Sequence, residues 1–552
     1  MIRIFAAPLA CAAALLFASP AAADTLIENV QGITVGEGDK LVRFTGLVID
    51  DEGRIRDVLA RNDDRPTDID YQEDGQGRVM LPGMIDAHLH VMDLGIQALT
   101  LDLSDTNSLE DALTKIAQFA ADNPARPWIL GSGWNQEKWR LGRFPTAADL
   151  DAVIADRPVW LERVDGHASW ANSNAMRRAE VDTTALDPVG GRIIRKSGSR
   201  EPSGVFIDTA TALVRKVVPL PRPEDRDLAL RRAQQRLFEH GVTAVADMGT
   251  TIEDWQAFRR AGDNGTLKLR IMSYASNVET MELIGGPAPT PWLYEDRLRL
   301  NGIKLYLDGA LGSRGATLKQ PYADEPGNHG LSITSPAQLR NLMSRAALDN
   351  FQVAVHAIGD AANADLLSAI EELNQSYKGD RRWRVEHAQI VDPADIERFG
   401  RFGIIASMQP LHQTSDRLMA ETRLGPNRLG GAYAWRSIAA TGAKLAFGSD
   451  APVEPPHVMN GLAAAISRTD PLGQPFGGWF PSETISRADA LRAFTSDAAF
   501  AGFADGRFGR LIAGERADFI LVDRDPLLSS PEDIRETVIY ETWINGEKVF
   551  SR

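Results

Sequence analysis

The stretch PGMIDAHLH, residues 82–90, ends an apolar run with two histidines one residue apart, in a chain of 552 residues that has only nine. Residues i and i+2 of a strand point to the same side, so His88 and His90 can reach one point in space together. The same design recurs downstream. Apolar, β-branched runs stand at TAVADM (243–248), LRIMSYA (269–275), IKLYLD (303–308), QVAVHA (352–357), WRVEHA (383–388), IIASMQ (404–409) and KLAFGS (444–449). With MIDAHLH they make eight. Several are too continuously apolar for half-exposed antiparallel strands and fit parallel strands covered on both faces.

Helix signals lie between many of these runs. In TSPAQLRNLMSRAALDN, Ser335 suits an N-cap and Pro336 the first helical position, with Leu339, Leu342, Met343 and Ala346 following at helical spacing. In LALRRAQQRLFEHG, the stripe Leu230, Ala233, Leu237 ends at Gly241, a C-terminal cap. Eight strand–helix units predict an α/β fold, a (β/α)8 TIM-type barrel, with a doubly wound open sheet as the alternative. The barrel is expected over residues 81–504. Residues 24–80 and 505–552 hold turn-punctuated alternating segments, read as one small β-sandwich built from both chain ends. About 97–235, after the first barrel strand, is too long for a loop and is expected to fold as an inserted subdomain.

Composition narrows the partners. The chain is 43% hydrophobic and 24% charged, with a formal net charge of −15, which argues against nucleic acid or an anionic membrane. MIRIFAAPLACAAALLFASPAAA, residues 1–23, has an early arginine, a short apolar run and a small-residue A-x-A end, the pattern of a signal peptide cut before Asp24. No other run approaches membrane-spanning length. The only cysteine, Cys11, lies in this segment, and Pro8 stands where a lipoprotein signal has an aliphatic residue. The expectation is an exported protein, periplasmic or secreted, without thiol ligands, acting on a small molecule, with homo-oligomerisation left open.

Parallel barrel strands bring their carboxyl ends to one face, where active sites sit. There Lys304, His356, His387 and Asp450 join His88 and His90. Singly, each has a plain structural reading: a hydrogen-bonded strand-end histidine, a turn-forming aspartate, a lysine paired with Asp308. Jointly, at the same place on five strands, they point to a metal site.

These motifs resemble the amidohydrolase superfamily. GIKLYLDGALGSRGA, GSGWNQEKW and ERVDGHASWANSNAM resemble, more narrowly, amidohydrolase family 3, the branch that includes N-substituted formamide deformylases, and the likeness runs from about residue 25 to the C-terminus. The resemblance implies that His88 and His90 bind one metal, His356 and His387 a second, and that Lys304, N6-carboxylated, bridges the two. It implies two zinc ions, with manganese, iron or cobalt as alternatives, and Asp450 as a metal ligand and proton carrier in hydrolysis of a C–N amide-type bond.

For the substrate, the resemblance points to His167 and Trp134 in the insertion, with a packing role as the equal alternative for Trp134. Arg314 after strand four, with an ion pair to Asp308 or a neighbour as the equal alternative, and Gln409 and His412 after strand seven, are further candidates. Two other readings stay open. One is a mononuclear deaminase-like hydrolase, against which VHAIGD lacks the HxxE glutamate. The other is a non-catalytic binding or regulatory protein on the same scaffold, against which all six positions hold competent residues.

Overall fold

The computed structural model describes residues 24–552; the expected signal peptide lies outside the described residues. Eight parallel strands pair in chain order: β1 (Met84–Leu89), β2 (Val242–Thr250), β3 (Arg270–Ala275), β4 (Leu298–Tyr306), β5 (Gln352–Ala357), β6 (Arg384–His387), β7 (Ile405–Met408) and β8 (Lys444–Phe447). All eight coincide with the apolar runs read from the sequence. The cylinder is nearly closed. At its seam, just past β8, Asp450 N–H donates to the His88 carbonyl at 2.7 Å and His90 N–H to that of Ala451 at 2.9 Å. Ser449 N–H and Oγ–H both donate to Asp86. A Cβ on Gly448 would sit 2.5 Å from Asp86 Oδ1 and from His88 N, so only glycine lets the strand ends approach this closely.

The chain ends form one eight-stranded sheet, ordered Glu547–Ser551, Ile539–Ile544, Phe519–Val522, Val79–Pro82, Thr25–Val35, Leu41–Ile49, Ile55–Leu59, with Tyr71–Asp74 also pairing with Thr25–Val35. Antiparallel pairing of Phe519 with Pro82 joins the two termini. Alternation then sorts the residues. Val79, Leu81, Ile520 and Val522 share the barrel's apolar cluster. Met80, Phe519 and Leu521 pack instead with Ile27, Phe44, Leu47 and Trp543 in a separate core, on which both halves of the sheet converge. The expected sandwich is therefore one continuous sheet wrapped around its own core, with its other face on the barrel.

The insertion after β1 carries a six-stranded sheet, from Leu101–Asp102 to Pro202–Asp208, with its own cores. The helix Pro223–Glu239 does not belong to it. Its stripe Ala229, Leu230, Ala233 and Leu237 is buried in the barrel cluster, so the expected boundary near 235 moves to before Pro223. Further on, Ser335 caps its helix by accepting from Gln338 N–H at 3.3 Å, with Pro336 in the first turn.

Candidate metal centre

Strand alternation turns every second side chain into the barrel lumen. On β1 and its extension these are Asp86, His88 and His90; on β4 and its extension, Lys304, Tyr306 and Asp308; on β6, Arg384 and Glu386. The imidazoles of His88, His90, His356 and His387 meet at the mouth. Ring centroids lie 5.7 Å apart for His88 and His90, 4.6 Å for His88 and His387, and 4.7 Å for His356 and His387. Asp450 stands among them, with Oδ1 3.2 Å from His90 Nε2 and 3.5 Å from His88 Nε2, and Oδ2 3.9 Å from His387 Nδ1. Lys304 Nζ is 3.2 Å from His88 Nε2. All six residues predicted as ligands thus converge. Two of them carry backbone strain: His387 (φ 73°) and Asp450 (φ 60°) occupy the left-handed region, which non-glycine residues hold where the surrounding structure forces it.

Electrostatics suit metal ligation. Burial, followed by the charge on Lys304, pushes His88 down to about 4. Burial and the neighbouring imidazole push His356 and His387 well below the usual histidine range. These rings are neutral and offer lone pairs. Burial alone would raise Asp450, but His88, His90 and His387 outweigh it and hold the carboxylate well below its ordinary range. Burial lowers Lys304 to about 8, against the pull of Glu386 and Asp450.

Hydrogen bonds aim the lone pairs. His88 Nδ1 faces Glu386 Oε2 at 2.6 Å and His387 Nδ1 faces Gln409 Oε1 at 3.0 Å, which leaves each Nε2 free. His356 Nε2 is buried with no hydrogen-bond partner. An orphaned buried nitrogen costs about 1–3 kcal/mol, and a cation resolves that cost. The donor set, imidazole with carboxylate and no thiolate, fits a divalent metal. His88, His90 and Asp450 bring ligand atoms within 4.8 Å of one another, as do His387, His412 and Asp450. In the second group Gln389 Nε2 donates to His412 Nδ1 at 3.3 Å. That places the His412 proton on Nε2, 3.8 Å from Asp450 Oδ2, as a donor toward the pocket.

The expected substrate residues fare differently. His167 reaches the mouth from the insertion, its ring 5.0 Å from that of His356 and its Nδ1 2.7 Å from Asp208 Oδ1. Burial works against the charge on His167, but Asp208 raises its pKa above the ordinary value. Gln409 and His412 lie at the centre, each with an unpartnered Nε2. Trp134 is corrected: fully buried, it donates to the Leu161 carbonyl at 2.9 Å and packs against Trp139 and Trp170 in the core of the insertion. Arg314 spends its fork on Asp324, with Nη2 to Oδ2 at 2.8 Å, and lies 3.5 Å from Glu325. Asp308 pairs with neither Arg314 nor Lys304; it accepts from the backbone of Thr317, Ile358 and Gly359 and lies 3.5 Å from His356 Nε2. The sequence reading missed Asp208, Glu386 and Arg384, whose only signal was a charge at alternate positions of a buried strand or at its end.

A family model described as "Amidohydrolase family" matches residues 73–550. The chain belongs to the amidohydrolase family. This amidohydrolase is 35% identical over 493 residues to "Protein LONG AFTER FAR-RED 3" of Arabidopsis thaliana, covering 86% of this chain and 83% of that one. It is 25% identical over 494 residues to "N-substituted formamide deformylase" of Arthrobacter pascens, covering 87% and 90%. Among solved structures it matches that of an uncharacterized metal-dependent hydrolase from Pyrococcus horikoshii OT3 with a TM-score of 0.73 and 25% identity, over 92% of this chain and 99% of that one. The barrel mouth of this amidohydrolase is therefore the place to look for hydrolytic chemistry.

Proposed function

We propose that the protein is an exported hydrolase that cleaves a C–N amide-type bond of a small molecule with the help of two divalent ions, zinc first. The observation that carries this reading is the convergence of four imidazoles, three of them held neutral by burial, with Asp450 and Lys304 at one barrel mouth, and with the Nε2 lone pairs of His88 and His387 left free. His88, His90 and Asp450 would hold one ion and His356 and His387 the other. Lys304, kept from full protonation by burial, would take up CO₂ as a carbamate, releasing a proton and offering two oxygens between the ions. When bound, such ions acidify water and polarise a carbonyl.

The chain's own residues do the rest. Asp450 would accept the proton of the attacking water and return it to the leaving nitrogen. His167, steadied by Asp208, and the amide of Gln409 would orient the substrate, and His412 would donate to it through Nε2. The deformylase relative makes N-substituted formamides the first substrate class to try. The leader pattern at residues 1–23 supports export.

The test is metal content per chain by elemental mass spectrometry on protein purified without chelator and with bicarbonate, alongside a formamide and amide panel. Two metals per chain, falling on Lys304→Ala, with hydrolysis of at least one amide, is the expected result. One metal unaffected by that substitution would remove the bridged site; no metal after reconstitution would remove the hydrolytic reading.

A further inference from the structure

One buried group at this centre is left unused by that chemistry. Glu386 precedes His387 on β6, is fully buried, and has Oε2 2.6 Å from His88 Nδ1. It does not stand alone. Arg384, on the same lumen-facing side of the strand, donates through Nε to Oε1 at 2.6 Å and through Nη2 to Oε2 at 3.1 Å. Nη2 also reaches the Ala87 carbonyl at 2.7 Å and Ser407 Oγ at 3.0 Å, while Nη1 reaches Tyr274 Oη at 3.1 Å. The tyrosine hydroxyl donates onward to Gln352 Oε1 at 2.6 Å. A polar column thus runs inside the barrel and ends on one nitrogen of His88.

Stability does not account for this column. Barrel interiors are ordinarily filled by bulky branched apolar side chains, and replacing a buried ion pair by packed apolar groups is often neutral or stabilising. Direction does account for it. An ionised carboxylate only accepts hydrogen bonds, and the fork of Arg384 occupies both of its oxygens. The remaining contact, to Nδ1, makes that nitrogen of the neutral imidazole carry the proton. The lone pair then lies on Nε2, which faces Lys304 at 3.2 Å and Asp450 Oδ1 at 3.5 Å. Both oxygens of Glu386 are engaged in these contacts.

We propose that Glu386, held by Arg384, is a positioning residue that fixes the tautomer and aim of His88 and thereby the affinity of the His88–His90–Asp450 position for a divalent cation. The inference rests on the metal-dependent reading of the site. Outer partners of metal-bound histidines typically contribute about 10- to 100-fold in affinity.

The test uses the full chain without its leader and Zn²⁺ alone. Glu386→Gln strands a buried arginine and is at risk of misfolding, so the decisive variant is Arg384→Met/Glu386→Leu, which removes both charges at similar volume. Zn²⁺ affinity is read by chelator competition and folding by circular dichroism. The His88 tautomer is read from ¹⁵N shifts of metal-free, histidine-labelled protein, assigned with His88→Gln. The expected result is a folded double variant that binds Zn²⁺ about 10- to 100-fold more weakly, with the Nδ1–H signature of His88 replaced by a mixture. A folded double variant that binds Zn²⁺ within twofold of the wild type, or a wild-type His88 protonated on Nε2, overturns the inference and leaves the metal reading intact. Wild-type protein that binds no Zn²⁺ overturns that reading, and this inference with it.

Discussion

The two ends of the barrel both bury charge, but they do so in opposite ways. At the amino end, Arg270 opens β3 and is fully buried. Its Nε and Nη2 donate to Asp518 at 2.5 and 2.8 Å and its Nη1 to the Glu295 carbonyl at 2.8 Å, while Asp518 also accepts from Asn545 N–H. Each polar atom of this pair is matched, and the pair locks the terminal sheet to the barrel. At the carboxyl end, His356 Nε2, His412 Nε2, Gln409 Nε2 and Asp208 Oδ2 are buried without partners, and His387, Asp450 and Asp208 hold positive φ. A saturated buried pair is a joint; unsaturated donors and acceptors beside strained backbone mark a place that expects a ligand.

Substitutions at the two ends separate these roles. Asp450→Asn is expected to cost about 10²–10⁴-fold in kcat/KM, measured on whichever amide the panel yields, with the denaturation midpoint nearly unchanged. A loss below tenfold would show that this carboxylate carries no proton. Asp518→Ala should do the reverse. It leaves Arg270 buried and unpaired, a cost of about 3–5 kcal/mol readable by urea denaturation, while the folded fraction keeps its kcat/KM. An equal loss of activity per folded chain would mean that the joint and the centre are one unit.

The same contrast explains what could be read from the sequence. Strands covered on both faces leave continuous apolar runs, so all eight were legible, and strand-end histidines stand out in a chain with nine. Glu386 was not, because WRVEHA reads as a strand whose charges are noise until the lumen shows that Arg384 and Glu386 face His88. Trp134 misled for a related reason. The resemblance put it among the substrate residues, yet GSGW ends an inner strand of the insertion sheet, and the indole closes that sheet's core. The helix Pro223–Glu239 has a clear stripe, but a stripe does not say which core it covers. Local pattern reports burial and period; which groups meet across the lumen depends on pairing among distant strands.

A last pair of residues tests whether unsaturated imidazoles alone suffice to make a site. His240, two residues before β2 at the amino end, lies with its ring centroid 4.2 Å from that of His457. Among the described residues, the charges that act on His240 are His457, Arg236 and Arg552, with no carboxylate. Burial first, then these neighbours, push it down to about 3, and burial lowers His457. The folded chain therefore refuses a proton that the unfolded chain accepts near the ordinary value of 6.5. Because the unfolded state binds more protons in this window, stability is full above about pH 6.5 and falls as pH drops toward 3. His240→Gln should remove up to one proton from that dependence, at most about 1.4 kcal/mol per pH unit and less where solvent reaches the pair. Urea denaturation between pH 6.5 and 4 reads this slope. Metal content at neutral pH should not change, because two imidazoles without a carboxylate or third ligand lack what Asp450 supplies at the mouth. A fall in metal content would make this pair a site as well, and the saturated joint at Arg270 would no longer typify its end of the barrel.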